Sequence, residues 1–342
     1  MLKFLFLFGL YFLGLIIGYG NGLYLNDLYI VIGFFSLFAF GYYLPVRVKF
    51  KYVYLNSSWF RHVSYLLLIG CVVGLLLRSL EFAPYVLANG YANLRGDLFT
   101  GSLIYSVTST ILLKLSLVNF LLLSVINFEK TKFVAALSFL IIIFNDLSVG
   151  GRGETMVATI ILFATVILRS SNPIKIASYL IIFISGFIIL VDLVRSGKNI
   201  VEIDEYYRTF EILTMLYLVG PIFSLNSVDA LIETKAFGGQ FLFGAPSRLF
   251  GVELVRPVVD FGAGYTNSYS GFAYLVAELT FLPLVIGFIL GLLLRPNNFV
   301  YLSIGLKFAL VILCVLLPRD LATNLLFFWV LCFFSIFKFK SS

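Results

Sequence analysis

A turn of unusual composition, Gly150-Gly151-Arg152-Gly153-Glu154, joins two apolar runs, and Asp146 lies just ahead of it. The glycines let the backbone reverse sharply. Arg152 then stands at the start of the following helix, where free backbone N–H groups and the helix dipole favour an anion. A guanidinium there can hold a phosphate bidentately and cannot lose its charge. The plainer role is an Arg–Glu or Arg–Asp pair that fixes the turn. Lys114 and Lys307 fall near the middle of the apolar runs 103–126 and 299–317. A charge at bilayer depth costs at least about 2.5–3.5 kcal/mol. Such a lysine snorkels, pairs with a helix end, or contacts an anionic ligand inside a bundle. Arg95, Arg208, Arg248 and Arg256 add further guanidiniums in segments between apolar runs. Singly each reads as a surface arginine; gathered on one face they suit a doubly charged group such as a pyrophosphate.

The elements that must position these residues follow from composition. Of 342 residues, 61% are apolar and only 12% charged, against about 25% charged in a soluble domain. That excludes disorder and a water-soluble fold, and it points to an all-α polytopic membrane protein. Apolar runs long enough to span lie at about 2–20, 28–45, 63–80, 103–126, 134–149, 155–169, 177–194, 271–294, 299–317 and 322–337. This gives ten spans, with eleven or twelve left open by an apolar stretch at 210–225 that Gly220-Pro221 interrupts. The first run follows Lys3 like a signal peptide but has no small-x-small cleavage site, so it reads as an uncleaved helix.

Short loops set the orientation. Arg47, Lys49, Lys51 and Arg61 carry no acid among them, nor does Arg169–Lys175, and Lys130 and Lys132 face only Glu129. With both termini cytoplasmic, Lys3, Arg295, Lys338 and Lys340 join them. The net charge of +7 is then a topology signal, and no nucleic-acid partner is expected. Residues 195–270 form a large outer loop within a single multi-pass domain, 1–342. Cys71, Cys314 and Cys332 sit inside apolar runs without CxxC spacing, and His62 is the only histidine, so neither a disulfide nor a metal site is expected. No P-loop, GxGxxG, GxSxG or HExxH occurs, and no cofactor is expected.

Four segments together resemble the Wzy-type polymerases of O-antigen or capsular repeat units, which are multi-pass bacterial inner-membrane enzymes. They are Tyr85–Tyr91 with Arg95, the Gly150–Gly153 turn, Tyr217-Leu218-Val219-Gly220-Pro221, and Gly264–Tyr269 leading through Tyr274 and Glu278 to Gly287 and Gly291. Where that family usually has Asp-Phe-Gly, this chain has Glu278-Leu279-Thr280. The resemblance implies a glycosyltransferase that joins undecaprenyl-pyrophosphate-linked oligosaccharides on the outer face of the membrane. The partners it implies are membrane lipid, a flippase and a chain-length regulator. Arg152, Arg248 and Arg208, then Arg95, would bind the pyrophosphate; Asp146, Glu154, Asp260 and Glu278 would act as base or position the acceptor. A related lipid-linked glycan ligase is less expected, because its outer-loop histidine has no counterpart here: His62 falls in a cytoplasmic loop. A flippase of the same lipid-linked unit and a membrane scaffold are the rival readings.

Overall fold

A computed structural model describes residues 8–89, 113–125, 128–147, 153–169, 172–196, 203–229, 259–260, 265–266, 271–278, 280–316 and 336–340. These residues are mostly helical, in line with the all-α expectation. In chain order come α1 (Gly9–Gly20), α2 (Leu28–Tyr43), β1 (Val53–Asn56), α3 (Ser57–Asn89), α4 (Leu113–Val125), α5 (Phe128–Leu147), α6 (Gly153–Arg169) and α7 (Pro173–Ser196). Then follow α8 (Ile203–Thr214), a π turn (Met215–Val219), α9 (Gly220–Phe223), a 3-10 turn (Ser224–Ser227), β2 (Val259–Asp260) and β3 (Tyr265–Thr266). Last come α10 (Gly271–Glu278), α11 (Leu282–Leu294), α12 (Pro296–Phe299), α13 (Ile304–Leu316) and β4 (Phe337–Lys340). The chain forms two compact units, one of residues 1–52 and 211–336, the other of residues 53–210 and 337–342.

In the first unit, α1 ends where Gly22 takes a φ of +78° and the Leu23 N–H returns to the Gly18 carbonyl at 3.0 Å. Helix α2 stops before Pro45, because the residue ahead of a proline is driven out of the helical region; Leu44 has ψ 125°. Helices α2 and α11 lie backbone to backbone. A Cβ added at Gly287 would stand 2.6 Å from the Phe34 carbonyl oxygen, and one at Gly33 2.6 Å from Leu284. Gly41 and Gly291 meet the backbones of Phe288 and Phe38 more closely still. Successive contacts pair 33 with 284, 34 with 287 and 38 with 291, so the two helices run in the same direction.

The expected single span 271–294 is instead two helices. Pro283 lacks an N–H and fits only a first turn, so α11 starts afresh at Leu282. Phe272 of α10 packs on Phe34 at 4.8 Å, the same residue that Gly287 of α11 approaches, so α10 folds back along α11. The run 299–317 likewise breaks, because Ser303 caps α13 by accepting the Leu306 N–H at 3.1 Å. The 210–225 stretch is helical throughout. The wide π turn, closed by the Gly220 N–H on the Met215 carbonyl, takes up the proline that follows. Its buried part packs on Gly14 and Gly18 of α1, and Asn226 binds the Tyr24 carbonyl at 2.7 Å and the Asn26 N–H at 2.8 Å.

In the second unit α4 packs against α3, α5 and α6, and α6 against α7. Asn119 of α4 donates to Ser138 of α5 at 3.3 Å, and Thr131 to the Leu123 carbonyl at 3.3 Å. Arg169 binds the same end of α4, donating to the Ser124 carbonyl at 2.7 Å and that of Val125 at 3.2 Å. These are orphan carbonyls at the end of α4. Strand β1 pairs in parallel with β4, Tyr54 opposite Lys338. Buried positions include Ser116, Asn119, Ser138, Asn145 and Thr155, whereas Leu66, Ile69, Leu76, Leu80, Phe133 and Ile182 face outward. Among the described residues one helix, Trp59–Phe82, is long and apolar enough to cross a membrane. Residues 103–112 of the run 103–126 and 322–335 of the run 322–337 lie outside the described residues.

The α2–α11 contact makes a measurable prediction. Gly291→Val forces the two backbones apart, and thermal unfolding in detergent registers a loss of about 1–3 kcal/mol. Gly70→Ala, where a Cβ meets nothing within 4 Å, leaves stability unchanged or raises it. Equal effects at the two positions would show that the close approach does not hold the pair together.

Candidate functional site

Helix α3 carries Arg78, Glu81, Phe82 and Tyr85 at i, i+3, i+4 and i+7, one face of the helix. Arg78 is fully buried, its guanidinium carbon 5.9 Å from the centroid of the Phe82 ring. That distance suits a cation–π contact. Burial of a charge is tolerated only where opposite charge and hydrogen bonds answer it.

The last turn of α5 brings a carboxylate into electrostatic reach of Arg78. Asp146 is buried beside Asn145 and lies within electrostatic reach of Arg78 and of Glu154. Its Oδ2 accepts the backbone N–H of Thr155 at 2.6 Å. Thr155 is the third residue of α6, so this N–H is one of the donors that a helix start leaves without an intrahelical partner. Asp146 therefore caps α6 from the preceding helix, and Glu154 adds a second carboxylate to the same first turn. The bond links the last turn of α5 to the first turn of α6.

The sequence-derived residues divide by location. Asp146 lies within electrostatic reach of both Glu154 and Arg78. Arg152 directly precedes α6 but lies outside the described residues, as do Arg95, Arg248 and Arg256. Arg208 is exposed on α8, with Asp204, Glu205 and Glu211 at helical-neighbour spacing. Lys114 is the second residue of α4, and its side chain is outside the described set. Lys307 stands near the start of α13 rather than at mid-span, with Nζ 3.4 Å from the Val300 carbonyl and 5.2 Å from the Phe299 ring. Asp260 pairs with Tyr265 across the short β2–β3 ladder, and Glu278 closes α10 at the fold-back. Arg78 was not among the residues singled out from sequence. Its signal was an arginine at the end of an apolar run with an acid three residues on.

Searches against protein-family models, curated proteins and solved structures found no match to this chain.

A buried guanidinium facing a carboxylate that itself holds a helix start should behave as one unit. Asp146→Ala orphans the Thr155 amide and uncovers the Arg78 charge, and should cost about 3–5 kcal/mol in thermal unfolding. A double-mutant cycle on Arg78→Met and Asp146→Asn should return a coupling of roughly 0.5–3 kcal/mol. Additive effects would show that the two charges do not meet.

Proposed function

We propose that this chain is a polytopic inner-membrane glycosyltransferase of the Wzy type, polymerising undecaprenyl-pyrophosphate-linked repeat units on the outer face of the membrane. The observation that carries the reading is the Asp146–Thr155 bond, which joins the two helices that flank the glycine–arginine sequence, with buried Arg78 in electrostatic reach. Two features support the membrane part. Polar side chains such as Asn119, Ser138 and Asn145 are buried among apolar ones, while many large apolar side chains are exposed, as an apolar solvent permits. Helices α2 and α11 run in the same direction, so an odd number of crossings separates them. The runs 63–80, 103–126, 134–149, 155–169 and 177–194 supply five; a crossing by 210–225 would make six. This favours ten spans with both termini cytoplasmic.

In the proposed reaction a sugar hydroxyl of one lipid-linked unit attacks the anomeric carbon of another. The glycosidic bond to undecaprenyl pyrophosphate breaks, and the hydroxyl proton passes to a carboxylate base. Charge grows on the leaving pyrophosphate, where Arg152, with Arg248, Arg208 and Arg95, would stabilise it. Asp146 is engaged by the Thr155 amide, which suits it to positioning. Glu154, Asp260 and Glu278 remain as candidates for the base.

The buried seam of Ser116, Asn119, Ser138 and Asn145 suits a second reading, a flippase with a polar path between helices. The phenotype separates them. Cells without a polymerase display glycan of a single repeat unit, whereas cells without a flippase display none. Arg152→Ala should reach the membrane at normal levels yet make no long glycan, and Arg152→Lys should lower elongation at least about tenfold, since an ammonium lacks the bidentate fork. An unchanged chain-length profile in Arg152→Ala would remove this residue from the mechanism.

A further inference from the structure

We infer that the run Val46–Tyr52 is a preorganised strap that binds the phosphates of anionic phospholipids. The inference rests on the membrane part of the reading above and not on the reaction. The strap begins beyond Pro45, where the Val46 N–H bonds the Leu44 carbonyl at 2.8 Å, and it carries no helix or turn. Its even-numbered positions are tied to the turn that follows α11. Arg295 donates to the Leu44 carbonyl at 2.7 Å. Buried Asn298 donates to the Val46 carbonyl at 3.0 Å and accepts the Val48 N–H at 3.2 Å. The Tyr52 hydroxyl accepts the Ser303 N–H at 2.9 Å. Asn298 is in turn anchored to the Leu292 carbonyl at 2.8 Å, so the strap is fixed to the helix end itself.

This anchoring decides where the cations go. Side chains of an extended chain alternate between faces, about 6.5 Å apart for every second residue. On the even register Val48 and Tyr52 are half-buried while Val46 and Phe50 are exposed, and on the odd register Arg47, Lys49 and Lys51 are all exposed. No acid occurs in 44–52 or in 295–307, while Arg295 and Lys307 add positive charge to the same end. Flanking the strap are exposed Val46, Phe50, Val300 and Tyr301, the last two each 69% exposed. Aromatic and apolar groups interleaved with cations at the ends of apolar helices match the headgroup layer of a bilayer. An acidic protein would match the charge alone. Because the strap is already ordered, little conformational freedom remains to be lost on binding.

The test uses the full chain in neutral detergent, with phosphatidylglycerol or phosphatidylcholine added and retained lipid counted by native mass spectrometry. Wild type should retain phosphatidylglycerol at least tenfold better than phosphatidylcholine. The R47Q/K49Q/K51Q variant should lose most of that preference, and K49E alone should lose several-fold. The K130Q/K132Q/K175Q variant, which removes equal charge from other loops read as cytoplasmic, should keep it. Retention unchanged in the strap variant, or lost equally in the loop variant, overturns the inference. So does displacement of the lipid by millimolar inorganic phosphate or by an acidic peptide such as polyglutamate. Membrane fractionation of cells expressing the same variants reads the underlying premise separately. Folded wild type in the soluble fraction would sink the membrane reading itself, whereas loss of preference only in both basic variants sinks the strap.

Discussion

The carboxylate of Asp146 on the Thr155 amide is the bond through which the candidate site is organised. It joins the last turn of α5 to the first turn of α6. The carboxylate stands within electrostatic reach of buried Arg78, and it occupies a helix-start donor that no residue within α6 can satisfy. The Gly-Gly-Arg-Gly sequence between the two helices has the permissive backbone that glycine supplies.

The other packed regions solve the same physical problem in different ways. Where apolar side chains gain little from meeting one another, as in a lipid environment, helices are held by close backbone approach and by polar bonds. Gly33, Gly41, Gly287 and Gly291 supply the first between α2 and α11, and Gly14 and Gly18 supply it for the π turn and α9 on α1. Asn119–Ser138 and Arg169 on the end of α4 supply the second. Arg295 and Asn298 extend this logic beyond the helices, using side chains to satisfy the carbonyls and N–H groups of a segment with no secondary structure of its own.

Much of the helical layout was legible because apolar runs are long and their breakers local. The run 28–45 is α2 with its end at Pro45, and 155–169 is α6 with its glycine turn ahead. Asp146 beside that turn was legible too, since an acid before a helix start has a local reason to be there. Arg78 was not, because the burial of one face of α3 depends on α5, some 70 residues on in the chain. The fold-back of α10 and the π turn escaped for a related reason. Pro283 and Pro221 say that a helix must adjust, but not whether it reverses, widens or ends. The strap escaped because hydropathy records its cations and not the alternate backbone bonds that aim them.

A division of labour among the carboxylates follows from their surroundings. Asp146 is buried, with its Oδ2 committed to the Thr155 N–H at 2.6 Å. That commitment suits it to positioning more than to approaching a sugar hydroxyl. Asp146 therefore serves the proposed reaction best by holding still, and proton transfer falls to a carboxylate less committed to structure. Glu154 is one residue from the same turn, while Asp260 and Glu278 mark a strand pairing and a helix fold-back. Of the three, Glu154 stands two residues from Arg152 in the sequence and next to the bonded amide of Thr155. On that ground Glu154 is the first carboxylate to weigh as base, and Asp146 is the residue that fixes where it stands.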